Sequence, residues 1–155
     1  MRLHDAVQLL ARHLHLRPGR IQSVAGRLQD AGLLSKTEGS RRYPDDVTHD
    51  EIILLFIAAI TETSLGAAAT AAETFAVLKD PEGAQFWMAV AELLLFEDVP
   101  AGDIAIHLDP PAATISLDGS LVVFGASEPA QGAVSARFVG ASTISALRAD
   151  LSKEH

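Results

Sequence analysis

Residues 17–32 read Arg17-Pro18-Gly19-Arg20-Ile21-Gln22-Ser23-Val24-Ala25-Gly26-Arg27-Leu28-Gln29-Asp30-Ala31-Gly32, and they decide how the amino-terminal part of the chain is built. Ile21, Val24, Ala25, Leu28 and Ala31 recur at three- and four-residue intervals, the spacing of one helix face. Pro18 suits a first helical turn, where its missing N–H would have no partner. Gly32 stands where helices commonly end. Upstream, Leu3, Ala6, Val7, Leu10, Ala11 and Leu14 form an apolar stripe of the same period. The reading is helix, short turn, helix.

The chain after Gly32 divides by period. Leu33 to Pro44 is short and polar with Gly39 at its tip, and predicts a hairpin or extended loop with Leu34 and Tyr43 as anchors. Thr48-His49-Asp50-Glu51 matches the capping box that starts a helix. The run Ile52 to Ile60 behind it is apolar on all sides, so that helix is expected to be buried on more than one face. Ala67 to Leu78 is an alanine-rich helix, and Asp80-Pro81 separates it from a further helix at about Pro81 to Phe96. Phe56, Phe75, Phe86, Trp87, Met88 and Phe96 on these helices are read as core. From Ile104 the period falls to two. Ile104 to Leu108 and Thr114 to Leu117 alternate, with His107 and Asp109 on a solvated strand face. Asp118-Gly119 signals a hairpin turn, followed by a strand at Leu121 to Phe124. Ser135 to Val139 reads as another strand and Thr143 to Leu151 as a closing helix.

Charge is distributed unevenly. The 155 residues carry a formal net charge of −8. Residues 1–44 nevertheless hold eight Lys/Arg against three Asp/Glu, a net of +5, and residues 45–155 hold four against seventeen, a net of −13. A basic head on an acidic body fits either a polyanionic partner at that end or a chance clustering of charges on a solvated face.

Several chemistries lack their residues. The chain has no cysteine, which excludes disulfide scaffolds, thiolate metal sites and cysteine nucleophiles and fits a reducing cytoplasm. Met1-Arg2-Leu3-His4-Asp5 opens no signal peptide, and Ile52 to Ile60 is far below the roughly 20 residues a membrane helix needs. There is no phosphate-binding glycine loop, no Gly-x-Ser-x-Gly elbow and no His-Glu-x-x-His. His13 and His15 lie two apart, which on a helix turns them away from each other. Ser64 has no nucleophile context. The expectation is a non-enzymatic protein without catalytic residues, metal ligands or cofactor, and with no membrane partner.

The face of the second helix opposite its apolar stripe carries Arg20, Ser23 and Arg27, with Gln22 at its edge and Arg17 just before it. Arg grips guanine bidentately and Gln does the same with adenine, so these types suit the reading of a DNA groove. Gly26 removes bulk between Ser23 and Arg27, either for close approach to a backbone or for packing against another helix. The Gly19-Arg20 end could offer free amides to a phosphate. Lys36, Arg41 and Arg42 then flank the glycine tip of the following loop, as in a wing that reaches the phosphate strand beside a reading helix.

The stretch Leu9-Leu10-Ala11-Arg12-His13-Leu14 followed by Arg20 through Leu34 resembles the winged helix-turn-helix of bacterial transcription regulators. Leu28-x-x-x-Gly32-Leu33 is similar to the end of the reading helix in MarR-like regulators. Gly32-Leu33-Leu34-Ser35, the basic loop ending Arg42-Tyr43 and the apolar helix after it resemble MerR-like regulators. The resemblance covers about residues 3–60. It departs from the MerR-like pattern in lacking an Arg-Tyr-Tyr run and from the MarR-like one in having Gly39-Ser40-Arg41-Arg42 where Asp-Arg-Arg is usual. By position it implies that Arg20, Gln22, Ser23 and Arg27 face the groove and that Lys36, Arg41 and Arg42 belong to the wing.

The expected fold is therefore α+β, with an N-terminal winged helix-turn-helix, central helices, and a small C-terminal antiparallel β-sheet with its closing helix. Residues 1–47 form the head, with reading helix 18–31 and wing 34–43, and residues 48–155 the body. The expected function is a sequence-specific DNA-binding transcription regulator of bacterial or phage origin. It would bind double-stranded DNA as a homodimer through Arg17, Arg20, Gln22, Ser23, Arg27, Lys36, Arg41 and Arg42. The alternative is a protein-interaction module, an antirepressor or adaptor, whose winged fold contacts a protein partner instead of DNA.

Overall fold

The structure is a computed structural model and describes residues 1–36, 46–125 and 135–154. Among these it is α+β, with six α-helices and one four-stranded antiparallel sheet. Helix α1 spans Leu3–Leu14 and α2 spans Pro18–Asp30. The turn between them is set at His15, whose φ of 52° is left-handed. Its amide bonds the Arg12 carbonyl and the Leu16 amide bonds that of Ala11, which closes the end of α1. Gly32 does the same for α2 with φ of 77°: the Leu33 amide returns to Leu28 and that of Gly32 to Gln29.

Helix α3, His49–Thr61, begins at the expected capping box. The Thr48 hydroxyl accepts from the Glu51 amide, and the Glu51 carboxylate accepts from that of Thr48. As its composition requires, α3 is central: Ile52, Ile53 and every residue from Leu55 to Thr61 are buried. Helices α2, α4 (Ala68–Ala76) and α5 (Phe86–Leu95) pack around it. Helix α6, Ala141–Leu151, lies against α1, α5 and the first strand. Apolar residues from α1 through α6 join one continuous cluster, so α1 and α2 share their core with the helices that follow.

The sheet has the order β3-β2-β1-β4, with β1 Asp103–His107, β2 Ala112–Leu117, β3 Ser120–Gly125 and β4 Ala136–Val139. Asp118 and Gly119, both left-handed, form the two-residue turn between β2 and β3. The inward face presents Ile104, Ile106, Ala113, Ile115 and Phe124 to the helices. Phe124 meets Phe86 of α5 edge-on, with ring centroids 5.4 Å apart. Arg148 of α6, nearly buried, ties α5 down by donating from Nε to the Leu93 carbonyl and from Nη1 to that of Val99.

Four expectations shift. The helix expected from Pro81 starts only at Phe86. The Asp80 carboxylate accepts from the amides of Glu82 and Ala84, and Gly83 is left-handed, so the intervening residues form a turn. The first strand ends at His107, which puts Leu108 and Asp109 in the connection to β2, where the Pro110-Pro111 pair offers no N–H to a ladder. Of the six side chains read as core, Phe56, Phe75 and Phe86 are buried and Trp87 partly so, but Met88 and Phe96 are half exposed. They lie on the first turn of α5 and at its C-cap. Finally, Gly26 packs against nothing, because a Cβ there would meet open space.

Candidate nucleic-acid interface

Helix α2 is amphipathic in the register read from its sequence. Ile21, Val24, Ala25 and Leu28 are buried, and Arg17, Gly19, Gln22, Ser23, Arg27 and Asp30 are exposed. The apolar face holds the helix against α1, α3 and α4, so the polar face is what α2 presents to solvent. The Ser23 hydroxyl donates to the Gly19 carbonyl one turn back. The Arg20 and Ile21 amides are both taken up by the Arg17 carbonyl, so neither remains for a phosphate.

Arg20 behaves differently from its neighbours. Its Nε donates to Glu62 Oε1 at 3.0 Å and its Nη2 to Oε2 at 2.6 Å, a two-pronged grip on the residue that ends α3. The Glu62 side chain is 8% exposed and that of Arg20 39%. A carboxylate this buried needs its cation, and the fork geometry supplies it. Nothing in the sequence assigns Glu62 a role. The pairing joins residues 42 positions apart and leaves no local signal.

Other basic residues of the amino-terminal part are also engaged. Arg12 and His13 of α1 both contact Asp150 of α6, at 2.9 and 3.0 Å, and Lys153 reaches the same carboxylate at 2.8 Å. The bonds from Lys153 and His13 hold the Asp150 carboxyl down at about 2, well below its ordinary 3.8. Lys36 lies 3.6 Å from Asp30, both exposed. Arg2, Arg17 and Arg27 make no ion pair among the described residues. Among the described residues the basic side chains of residues 1–36 therefore divide into cations bound by acidic partners and a smaller set without an ion pair: Arg2, and Arg17 and Arg27, which stand with Gln22 and Ser23 on the outer side of α2.

The hairpin expected at 34–43 falls mostly outside the described residues, and with it Arg41 and Arg42. Its two flanks are described and converge on Glu51. The Ser35 amide donates to Glu51 Oε1 at 2.6 Å and the Thr48 amide to Oε2 at 2.8 Å. Burial raises the affinity of that carboxyl for its proton, but the hydrogen bonds from Ser35 and Thr48 outweigh it and lower its pKa. The Gln29 amide group donates to the Ser35 carbonyl, and the Val47 amide donates to that of Met1. The segment thus leaves and rejoins the fold beside the end of α2. Lys36 stands at its start.

No family model, curated protein or solved structure matches this chain. Among the described residues no helix is long and apolar enough to cross a membrane, and no group of three His, Asp or Glu side chains is placed to hold a metal ion.

Proposed function

We propose that the protein is a sequence-specific DNA-binding regulator that reads a duplex with the outer face of α2 and the basic segment next to it. The observation that carries this reading is that Gln22, Ser23 and Arg27 stand exposed on one helix face whose other face is fully committed to the core. Such a helix can enter a major groove without unfolding anything, and Arg27 and Gln22 have the donors and acceptors that discriminate bases. Gly26 between Ser23 and Arg27 leaves the face open. Arg17, Lys36, Arg41 and Arg42 would supply phosphate contacts, and the acidic remainder of the chain would repel DNA elsewhere. One such helix covers only a few base pairs, so a homodimer on two half-sites completes the reading.

The second reading, a protein-interaction module, draws on one observation: Arg20 is already spoken for by Glu62, which weakens the base-reading set by one member. Selection of the full chain against a random duplex pool separates the two. Enrichment of an inverted repeat, lost on Arg27→Ala or Gln22→Ala and weakened evenly across sequences by Lys36→Ala, supports the regulator. Binding that is absent even at low salt, in folded protein, removes it, because phosphate contacts are strongest there.

A further inference from the structure

A concavity lies where three elements meet: the turn between α1 and α2, the end of α3, and the edge strand β4. It encloses about 530 Å³, within the range of small-molecule sites. Leu14, Leu16, Ile60 and Phe138 give it apolar walls, and Phe138 is 75% exposed.

The polar lining has a definite sign. Apart from histidine, its ionisable groups are Arg20, Arg137 and Glu62. Arg20 and Glu62 neutralise each other through the fork described above. Arg137 donates from Nη1 to the Ile60 carbonyl at 3.2 Å and makes no ion pair among the described residues. It is only partly exposed. Among the described residues one positive charge is therefore left without an ion pair beside an apolar wall, in a chain whose net charge is −8. A partly buried guanidinium without a carboxylate is held in a state that an anion would stabilise. A second hollow, about 190 Å³ between α5 and the β2–β3 hairpin, carries Asp80 and Glu92 instead and has the opposite sign.

We propose that this groove is a binding site for a small amphipathic monoanion: a carboxylate paired with Arg137, with an aromatic or aliphatic body against Phe138, Leu16 and Ile60. Arg137 is the recognition residue and Phe138 the platform. The inference stands whether or not the chain binds DNA.

The test is calorimetric titration of the full chain with 2-naphthoate, with the neutral 2-naphthamide and inorganic phosphate as comparison probes. The expected result is saturable one-to-one binding of naphthoate, with naphthamide weaker by about tenfold or more, the worth of one charge-assisted hydrogen bond. Arg137→Gln should cost a similar factor, and Phe138→Ala about threefold through lost stacking. Phe138 is exposed enough that its variant folds independently of the outcome, and the melting temperature of both variants checks this. Equal binding of naphthoate and naphthamide, phosphate binding as tight as naphthoate, unchanged affinity in both variants, or no saturation by about 5 mM naphthoate would each overturn the proposal.

Discussion

Replacing Arg20 by alanine isolates what the Glu62 carboxylate costs the fold. Glu62 sits at the end of the most buried helix with 8% of its side chain exposed, and it accepts two hydrogen bonds of 3.0 and 2.6 Å from one guanidinium. Removing the cation leaves the carboxylate desolvated and alone. Breaking a fully buried pair in this way costs about 3–5 kcal/mol. Arg20 is 39% exposed, so solvent screens part of its attraction and water can replace part of it. The expected loss is therefore about 2–3 kcal/mol. Glu62→Gln keeps the shape and one acceptor, and should cost only about 1 kcal/mol. The double variant should then be more stable than the sum of the two single losses predicts, by about 1–2 kcal/mol. Urea denaturation followed by circular dichroism measures all three, provided the slope with denaturant is unchanged. The reasoning fails if Arg20→Ala loses less than about 0.5 kcal/mol, or if the two substitutions are strictly additive. Either result would mean that Arg20 is free to serve a partner, and would return it to the base-reading set.

Glu51→Ala should destabilise by about 2 kcal/mol, since it removes the reciprocal half of a capping box and the acceptor for Ser35; Thr48→Ala, which keeps the Ser35 bond, should cost about 1 kcal/mol in the same denaturation assay. Asp150 has a folded pKa of about 2 against an ordinary 3.8, so it contributes stability that is fully present above pH 3.8 and disappears as pH falls toward 2. Melting temperatures of wild type and Asp150→Asn should accordingly differ at pH 5 and converge near the bottom of that window, and a constant gap across it would contradict the assignment. His15→Gly should stabilise the chain by up to about 1 kcal/mol, because the left-handed conformation at φ 52° costs a side-chain-bearing residue more than it costs glycine; a loss of stability would show that the imidazole makes a contact worth more than the strain.

What could be read from the sequence was what is decided within a few residues. Thr48 and Glu51 cap α3 because the two partners are three positions apart, and Asp118-Gly119 makes a hairpin turn because both residues tolerate positive φ. The same holds for the exposed face of α2, since a period of 3.6 fixes which side chains oppose Ile21, Val24 and Leu28. Pro81 misled because proline fits a first helical turn and a tight turn equally well, and the Asp80 side chain chose the turn. The ion pairs were illegible for a different reason. Arg20 and Glu62 meet across 42 residues, and His13 and Asp150 across 137. Only packing brings such partners together, so a count of charges along the chain could not show that Arg12, His13 and Arg20 already have acidic partners. Arg137 gave no sign at all, since nothing in a four-residue strand marks a guanidinium that will face a groove.

Glu51 holds Ser35 with one oxygen and Thr48 with the other, so twelve intervening residues begin and end at a single side chain. Closing a longer segment over that clasp adds little entropy cost, about 0.6 kcal/mol for each doubling of length. A longer stretch between the clasped ends should therefore leave α2 and α3 in their positions. The ends themselves are not exchangeable: Asp46 pairs with the Met1 ammonium and Val47 with its carbonyl, so the return of the chain is written into the first residue of the sequence.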